Sequence, residues 1–132
     1  MTPSYTRFIG VDVAAKKLDL HDSKSGEHQT IDNTPEAIGD HFKGLRGRSK
    51  ILVVAEATGG YERRLVDAMH ELGIDVSINN PFQVRCLAKG LGVIEKNDPI
   101  DAGVIARFGQ VAECRLTPKS RKGVRSRKPK VG

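Results

Sequence analysis

Four carboxylates occupy positions that the packing of a hydrophobic core does not explain. Asp12 lies inside a β-branched run although Asp is disfavoured in strands. Glu56 ends the most hydrophobic run of the chain, and Asp98 and Asp101 are spaced i, i+3. Gathered carboxylates repel one another and attract Mg²⁺ or Mn²⁺, and two such ions about 4 Å apart can promote displacement at a phosphodiester. The four positions therefore predict a two-metal catalytic site.

Each of these residues also has a purely structural explanation. Asp98 before Pro99 is a good helix N-cap, and Asp101 would then occupy the third helical position, where an acid suits the helix dipole. Glu56 could simply end a strand. The chemical interpretation depends on the four together, and on the first and fourth strands being neighbours, which would bring Asp12 and Glu56 close together at the surface of the sheet.

Hydrophobic periodicity predicts the elements that would position these carboxylates. We expect strands over residues 8–13, 17–22, 27–32, 51–55 and 74–78. We expect a helix that begins at Asn33-Thr34-Pro35-Glu36 and is ended by Gly44 and Gly47, and helices over 61–72, 82–91 and 97–108, the last opened by Asn97-Asp98-Pro99. Three meander strands followed by alternating helices and strands predict an α/β fold with a mixed five-stranded sheet and helices on both faces. Asp98 and Asp101 would then share one face at the start of the last helix.

Charge is divided unevenly along the 132 residues. Residues 115–132 hold eight of the 22 Lys and Arg residues and none of the 16 Asp and Glu residues. We predict a folded domain over 1–114 and a basic, disordered tail over 115–132. Candidate nucleic-acid contacts are Arg121, Lys122, Arg125, Arg127 and Lys128 in the tail, with Lys16 and Lys17 in the first hairpin. A solubilising tail and a solvated hairpin are the alternatives.

Composition excludes several classes of protein. The chain is 38% hydrophobic and 29% charged, as expected of a globular domain, and has no apolar run near the roughly 20 residues that span a bilayer. Its first residues lack the apolar core of a signal peptide. Cys86 and Cys114 are too few for a disulfide framework, so a cytoplasmic location is expected.

Three sequence motifs resemble those of the DEDD transposases, the insertion-sequence recombinases related to the pilin-gene DNA invertases. They are Phe8-Ile-Gly-Val-Asp12-Val-Ala-Ala-Lys-Lys-Leu-Asp-Leu, Val53-Val-Ala-Glu56-Ala-Thr-Gly-Gly-Tyr-Glu, and Lys96-Asn-Asp98-Pro-Ile-Asp101-Ala with Ile105-Ala-Arg-Phe. Ile78-Asn-Asn-Pro and Gln83-Val-Arg between them also fit. The resemblance covers residues 7–110, with the motifs in order and at plausible separations.

The resemblance implies an RNase H-like, RuvC-like fold in which the four carboxylates bind two Mg²⁺ or Mn²⁺ ions for DNA strand cleavage and transfer in DNA transposition. It also implies DNA and a structured guide RNA as partners, and a homo-oligomer for the full-length protein. Full-length members continue into a second catalytic domain with a nucleophilic Ser, whereas this chain stops at Gly132. Ser120 and Ser126 lie in the basic tail and do not replace that nucleophile.

Two other functions stay open on the sequence. One is a non-catalytic nucleic-acid-binding or dimerisation module, a truncated remnant that lacks the Ser-containing domain. The other is the ATPase domain of a sugar or acetate kinase-like protein, which also begins with a strand ending in Gly-x-Asp and a hairpin. Such a kinase needs a second nucleotide-binding lobe and no paired carboxylates at 98 and 101. The loop Thr58-Gly59-Gly60 is either a phosphate cradle or, as we favour, a plain strand-to-helix turn.

Overall fold

The computed structural model describes residues 5–45, 50–95 and 97–119 of the chain. In these ranges the elements are β1 (Arg7–Val13), β2 (Lys17–Asp22), β3 (His28–Asp32), α1 (Pro35–Lys43), β4 (Ile51–Glu56), α2 (Arg63–Leu72), β5 (Asp75–Asn79), α3 (Pro81–Gly90) and α4 (Ala102–Val111). Their order is the predicted one. No helix of the described ranges is long and apolar enough to cross a membrane.

The strands form one mixed sheet in the order β3-β2-β1-β4-β5. β1 pairs antiparallel with β2 and parallel with β4, and β4 pairs parallel with β5. The first and fourth strands are therefore neighbours, as the chemical interpretation requires. Val11 pairs with Ala55, so the residues that follow them, Asp12 and Glu56, reach the same carboxyl edge of the sheet.

Alternation along β1 separates two cores on the two faces of the sheet. Ile9, Val11 and Val13 belong to the larger core, which α1 and α2 cover. The opposite face carries Gly10 and Asp12, and there α3 and α4 enclose a smaller core. The buried residues of that smaller core are Leu52, Val54, Val84, Ile105 and Phe108. Asp12 therefore lies on the face that α4 covers.

The backbone of α4 crosses β1 directly over Gly10. A Cβ atom built on Gly10 would overlap the carbonyl oxygen of Ala102 and the amide nitrogen of Ala106. Gly109 of the same helix is also packed closely, since a Cβ there would lie 2.6 Å from Cγ2 of Val54. Glycine at 10 is required by this approach of the helix to the strand, which holds the start of α4 beside the carboxyl end of β1.

The last helix begins later than the sequence predicts. Asp101 is the N-cap of α4, and its Oδ1 accepts a hydrogen bond from the amide of Val104 at 2.9 Å. The prediction that Asp98 caps this helix and shares its first turn with Asp101 was wrong. Ile100 and Ile105, one residue before and four residues after the cap, both pack in the smaller core. This hydrophobic staple fixes the start of the helix at Asp101 rather than at Asp98.

After α4 the chain returns to the outer edge of β5. The Ser77 hydroxyl donates to the carbonyl of Arg115 at 2.7 Å, and the amide of Thr117 donates to the carbonyl of Val76 at 2.8 Å. The first residues of the predicted tail therefore contact the sheet. The candidate nucleic-acid contacts Arg121, Lys122, Arg125, Arg127 and Lys128 lie outside the described residues.

Candidate active site

Acidic residues of three neighbouring strands, β2, β1 and β4, lie side by side near the carboxyl edge of the sheet. Asp12 of β1 stands directly opposite Asp19 in the antiparallel register with β2. On its other side, parallel pairing brings Glu56 of β4 to the same edge. Cross-strand partners point to the same face of a sheet, so Asp19 accompanies Asp12 on the α4 face.

Burial and mutual repulsion control the ionisation of Asp12 and Glu56. Burial raises the pKa of Asp12, and the charges of Asp19 and Asp101 raise it further. Burial likewise raises the pKa of Glu56, with a further contribution from Asp12, whereas the Arg85 guanidinium acts in the opposite direction. Both carboxylates therefore resist ionisation, and a nearby cation would favour their charged forms.

Glu56 also has an unsatisfied oxygen. Its Oε2 is buried and finds no hydrogen-bond partner among the described residues. A buried carboxylate oxygen without a donor is costly, and such an atom is a suitable ligand for a hard cation. This atom is the feature of the site that ordinary packing explains least.

The carboxylates suit a divalent cation in donor type but do not already surround one position. Within residues 5–45, 50–95 and 97–119, no group of three or more His, Cys, Asp or Glu side chains is close enough to hold a metal ion. Mg²⁺ and Mn²⁺ prefer carboxylate oxygens, and Oε2 of Glu56 is available. The residues therefore fit these ions by their chemistry, and a cation would offset the repulsion that raises the pKa values of Asp12 and Glu56.

The two aspartates of the third motif have different surroundings. Asp101, at the N-terminus of α4, is close enough to raise the pKa of Asp12. Asp98 lies exposed in the preceding loop, where its Oδ2 accepts from the amide of Glu95 at 2.9 Å and its carbonyl accepts from Nη1 of Arg85 at 3.2 Å. Asp12 thus lies within electrostatic range of both Glu56 and Asp101, whereas Asp98 lies in the loop.

Sequence reasoning missed Asp19 and gave Arg85 no role. The signal for Asp19 was the alternation of β2, in which Leu18 and Leu20 are both buried in the larger core. The residue between them must face the other way, the same way as Asp12. Arg85 carried no comparable signal, because its position depends on how α3 packs beside the loop that holds Asp98.

The Glu62 carboxylate accepts hydrogen bonds from the loop that follows Glu56. Oε1 of Glu62 accepts hydrogen bonds from the amide of Thr58 at 3.0 Å, from the Thr58 hydroxyl, and from the amide of Gly60 at 3.2 Å. Burial alone would raise the pKa of Glu62, but these hydrogen bonds lower it overall. Because Glu62 already occupies these amides, the favoured interpretation as a strand-to-helix turn agrees with the structure, and the turn fixes the backbone beside Glu56.

The two lysines of the first hairpin differ in their contacts. Lys16 is exposed in the turn between β1 and β2. Lys17, at the start of β2, pairs through Nζ with Oδ1 of Asp32 on β3 at 2.6 Å. Nucleic-acid binding by either lysine stays a prediction.

Two substitutions at Asp101 are expected to separate its structural role from its charge. Asp101→Ala removes the cap of α4 and should lower the free energy of unfolding by about 1 kcal/mol. Asp101→Asn keeps a capping oxygen for the Val104 amide and should leave stability within about 0.5 kcal/mol of wild type. Urea denaturation measures both values, and an equal loss in the two variants would contradict the assignment of Asp101 as a cap.

Comparisons with known proteins find a family model and two curated relatives that match this chain. A family model for DEDD transposases, described as "Transposase", matches residues 9–125. The pilin gene-inverting proteins of Moraxella lacunata and Moraxella bovis are each 28% identical over 108 residues, which cover 77% of this chain and 34% of theirs. The chain therefore spans about a third of the length of the curated relatives it matches.

Two solved structures share the fold. Thermus thermophilus RuvC in complex with a Holliday junction substrate superposes with a TM-score of 0.54 at 16% identity. RuvC of the same organism also superposes in a second structure, with a TM-score of 0.53 at 17% identity, and each match covers 85% of this chain and 100% of the RuvC chain. At this level of identity the likeness shows the fold alone, and it confirms the predicted RuvC-like, RNase H-like architecture.

Proposed function

Since this chain belongs to the DEDD transposase family, we propose that it is the N-terminal catalytic domain of a DNA transposase or site-specific recombinase. Its reaction would be metal-dependent cleavage and transfer of DNA strands. The family predicted from the three sequence motifs is confirmed by the match over residues 9–125, and the kinase-like alternative is set aside on that ground. The names of the pilin gene-inverting relatives, and of RuvC bound to a Holliday junction, support DNA as the substrate.

The observation that carries this proposal is the position of Asp12, which shares an edge of the sheet with Glu56 and feels the charge of Asp101 at the N-terminus of α4. These residues, with Asp98 as the fourth, would hold two divalent ions, Mg²⁺ or Mn²⁺. When bound, the two ions would stabilise the attacking and leaving oxygens of a phosphodiester. Asp19 would add negative charge beside Asp12 and so raise the affinity of the site for cations.

The chain's own groups would position the reaction. Gly10 lets α4 approach β1 and so places Asp101 beside Asp12. Arg85 donates to the backbone carbonyl of Asp98, and its charge favours the ionised form of Glu56. Glu62 fixes the turn after Glu56. From the family resemblance alone, we extend the proposal to a structured guide RNA as a partner and to a homo-oligomer for the full-length protein.

Nicking of a supercoiled plasmid tests this function. We expect the chain to produce open circles in Mg²⁺ or Mn²⁺ and none in EDTA, with the Asp12→Asn variant, purified in the same way, as the control for a contaminating nuclease. Plasmid that is bound, as seen by a mobility shift, but not nicked in either metal would contradict the catalytic proposal. That result would favour the alternative of a non-catalytic nucleic-acid-binding module.

A further inference from the structure

A polar groove lies between β2 and α4 on the face of the sheet that carries the carboxylates. Its volume is about 320 Å³, and its lining residues are His21, Ser23, Gly103, Ala106, Arg107 and Gln110. β2 contributes His21 at its end, and α4 contributes the last four residues of the set. The end of β2, with Ser23 after it, forms one wall of the groove, and the exposed side of α4 forms the other.

The groove begins directly beside the candidate active site. His21 stands opposite Gly10 in the pairing of β1 with β2, two residues along from Asp19. A Cβ atom on Gly103 would lie 3.4 Å from Oδ1 of Asp101 and 3.7 Å from Nδ1 of His21. A strand of nucleic acid with one phosphate at the carboxylates would therefore meet this groove with a neighbouring phosphate.

The charge of the groove differs from that of three other cavities in the described part of the chain. Its lining includes the cation Arg107 and no Asp or Glu. The cavity beside Arg7 is also lined by Asp22 and Glu27, and the cavities beside Lys16 and Arg63 likewise contain carboxylates. None of the salt bridges found in the described residues involves Arg107, so its guanidinium is available to an anion.

The other polar groups of the groove are also suited to an anion. The Gln110 amide and the His21 ring can each donate a hydrogen bond. The Ser23 hydroxyl oxygen accepts from the amide of Phe8 at 3.0 Å, which leaves its proton free to be donated. Arginine with further hydrogen-bond donors around it suits a phosphate contact, and such contacts fix the register of a strand without reading its sequence.

We propose that this groove binds a backbone phosphate of the DNA strand adjacent to the phosphate at the carboxylate site, with Arg107 as its principal ligand. The inference rests on the proposed function, because it requires DNA at the carboxyl edge of the sheet. The groove holds the strand in register. Arg107 is thus a substrate-binding residue that lies one helical turn beyond Gly103 on the exposed side of α4.

Two charge reversals test whether DNA binding depends on Arg107 in the groove or only on the net charge of the protein. Fluorescence anisotropy with a labelled short duplex, in Ca²⁺ and over a series of salt concentrations, compares wild type with Arg107→Glu and Arg63→Glu. Both arginines are exposed, but Arg63 belongs to α2 on the other face of the sheet. We expect Arg107→Glu to weaken binding about tenfold and to lower the salt slope by about 0.9, the value for one lost phosphate contact, and Arg63→Glu to change Kd less than about twofold.

The outcomes distinguish a failure of the groove proposal from a failure of the proposed function. Equal effects of the two reversals, or unchanged binding by Arg107→Glu, would overturn the assignment of the groove as a phosphate site. Binding of the duplex by wild type would still support the DNA-binding part of the proposed function. No binding of the duplex by the wild-type chain would overturn both. Arg107→Gln, which keeps an uncharged helix-forming side chain, should show a smaller loss in the same direction with unchanged thermal unfolding, so a folding defect cannot account for the result.

Discussion

Gly10→Ala is expected to destabilise the fold by about 3 kcal/mol, the upper range for overpacking a well-packed core. The added methyl group would overlap backbone atoms of Ala102 and Ala106, and backbone in a packed helix cannot rotate away as a flexible side chain can. α4 would have to move off β1, which opens the smaller core and carries Asp101 away from Asp12. Thermal unfolding should show a midpoint lower by about 10 °C.

Gly39→Ala is the matched control for this substitution. Gly39 lies in the middle of α1, and a Cβ atom there would meet nothing within 4 Å. Alanine in a helix interior is favoured over glycine by about 0.5–1 kcal/mol, so this variant should be slightly more stable than wild type. If the two variants had similar stability, the close crossing of α4 over β1 would be contradicted.

Asp12→Asn is expected to reduce metal-dependent DNA cleavage roughly 10²–10³-fold, the loss typical of removing one electrostatic group from a catalytic site. The amide keeps the size of the side chain but carries no negative charge to hold a divalent ion. We expect the same substitution to increase the free energy of unfolding. Burial and the charges of Asp19 and Asp101 raise the pKa of Asp12 in the folded state, so the ionised form opposes folding at neutral pH.

The raised pKa of Asp12 determines how stability depends on pH. Between the ordinary pKa of an unfolded Asp, about 3.9, and the raised pKa in the folded protein, the folded state binds more protons than the unfolded state. Stability of the wild type should therefore fall, relative to Asp12→Asn, as the pH rises through that interval, and the difference should persist at neutral pH. Urea denaturation of both proteins at acid and neutral pH, without divalent metal, measures this.

Asp67→Asn supplies the control for the loss of one carboxylate. Asp67 is exposed on α2, on the opposite face of the sheet, and its replacement should alter neither cleavage nor stability appreciably. Equal loss of cleavage in the two variants would mean that net charge, not the position of Asp12, matters. A marked loss of stability in metal-free Asp12→Asn would contradict the repulsion assigned to this carboxylate.

The elements of this fold could be predicted from sequence because each is marked by local residues. The apolar run at 51–55 indicates a buried strand, and the structure places β4 inside the sheet, between β1 and β5. Gly73 after α2 adopts φ 73°, the left-handed conformation expected of a glycine that ends a helix. The start of α4 was harder to predict, since Asp98 and Asp101 are equally good caps by type. Tertiary packing of Ile100 and Ile105 decides between them.

The candidate site was only partly visible in the sequence for a related reason. Asp12 and Glu56 stand out because charged residues rarely occur in such apolar runs. Asp19 does not stand out, because its position opposite Asp12 depends on the register of the hairpin. The roles of Gly10 and Arg85 depend on which helix lies over which strand or loop, which no local pattern specifies.

Calorimetric titration with Mn²⁺ tests whether these carboxylates form a site for divalent metal. The comparison is wild type against the double variant Asp12→Asn/Glu56→Gln, each with and without a short DNA duplex. We expect wild type to bind Mn²⁺, more tightly when DNA supplies phosphate oxygens, and the double variant to lose this binding in both conditions. Equal binding by the two proteins, or no binding by wild type even with DNA, would contradict such a site.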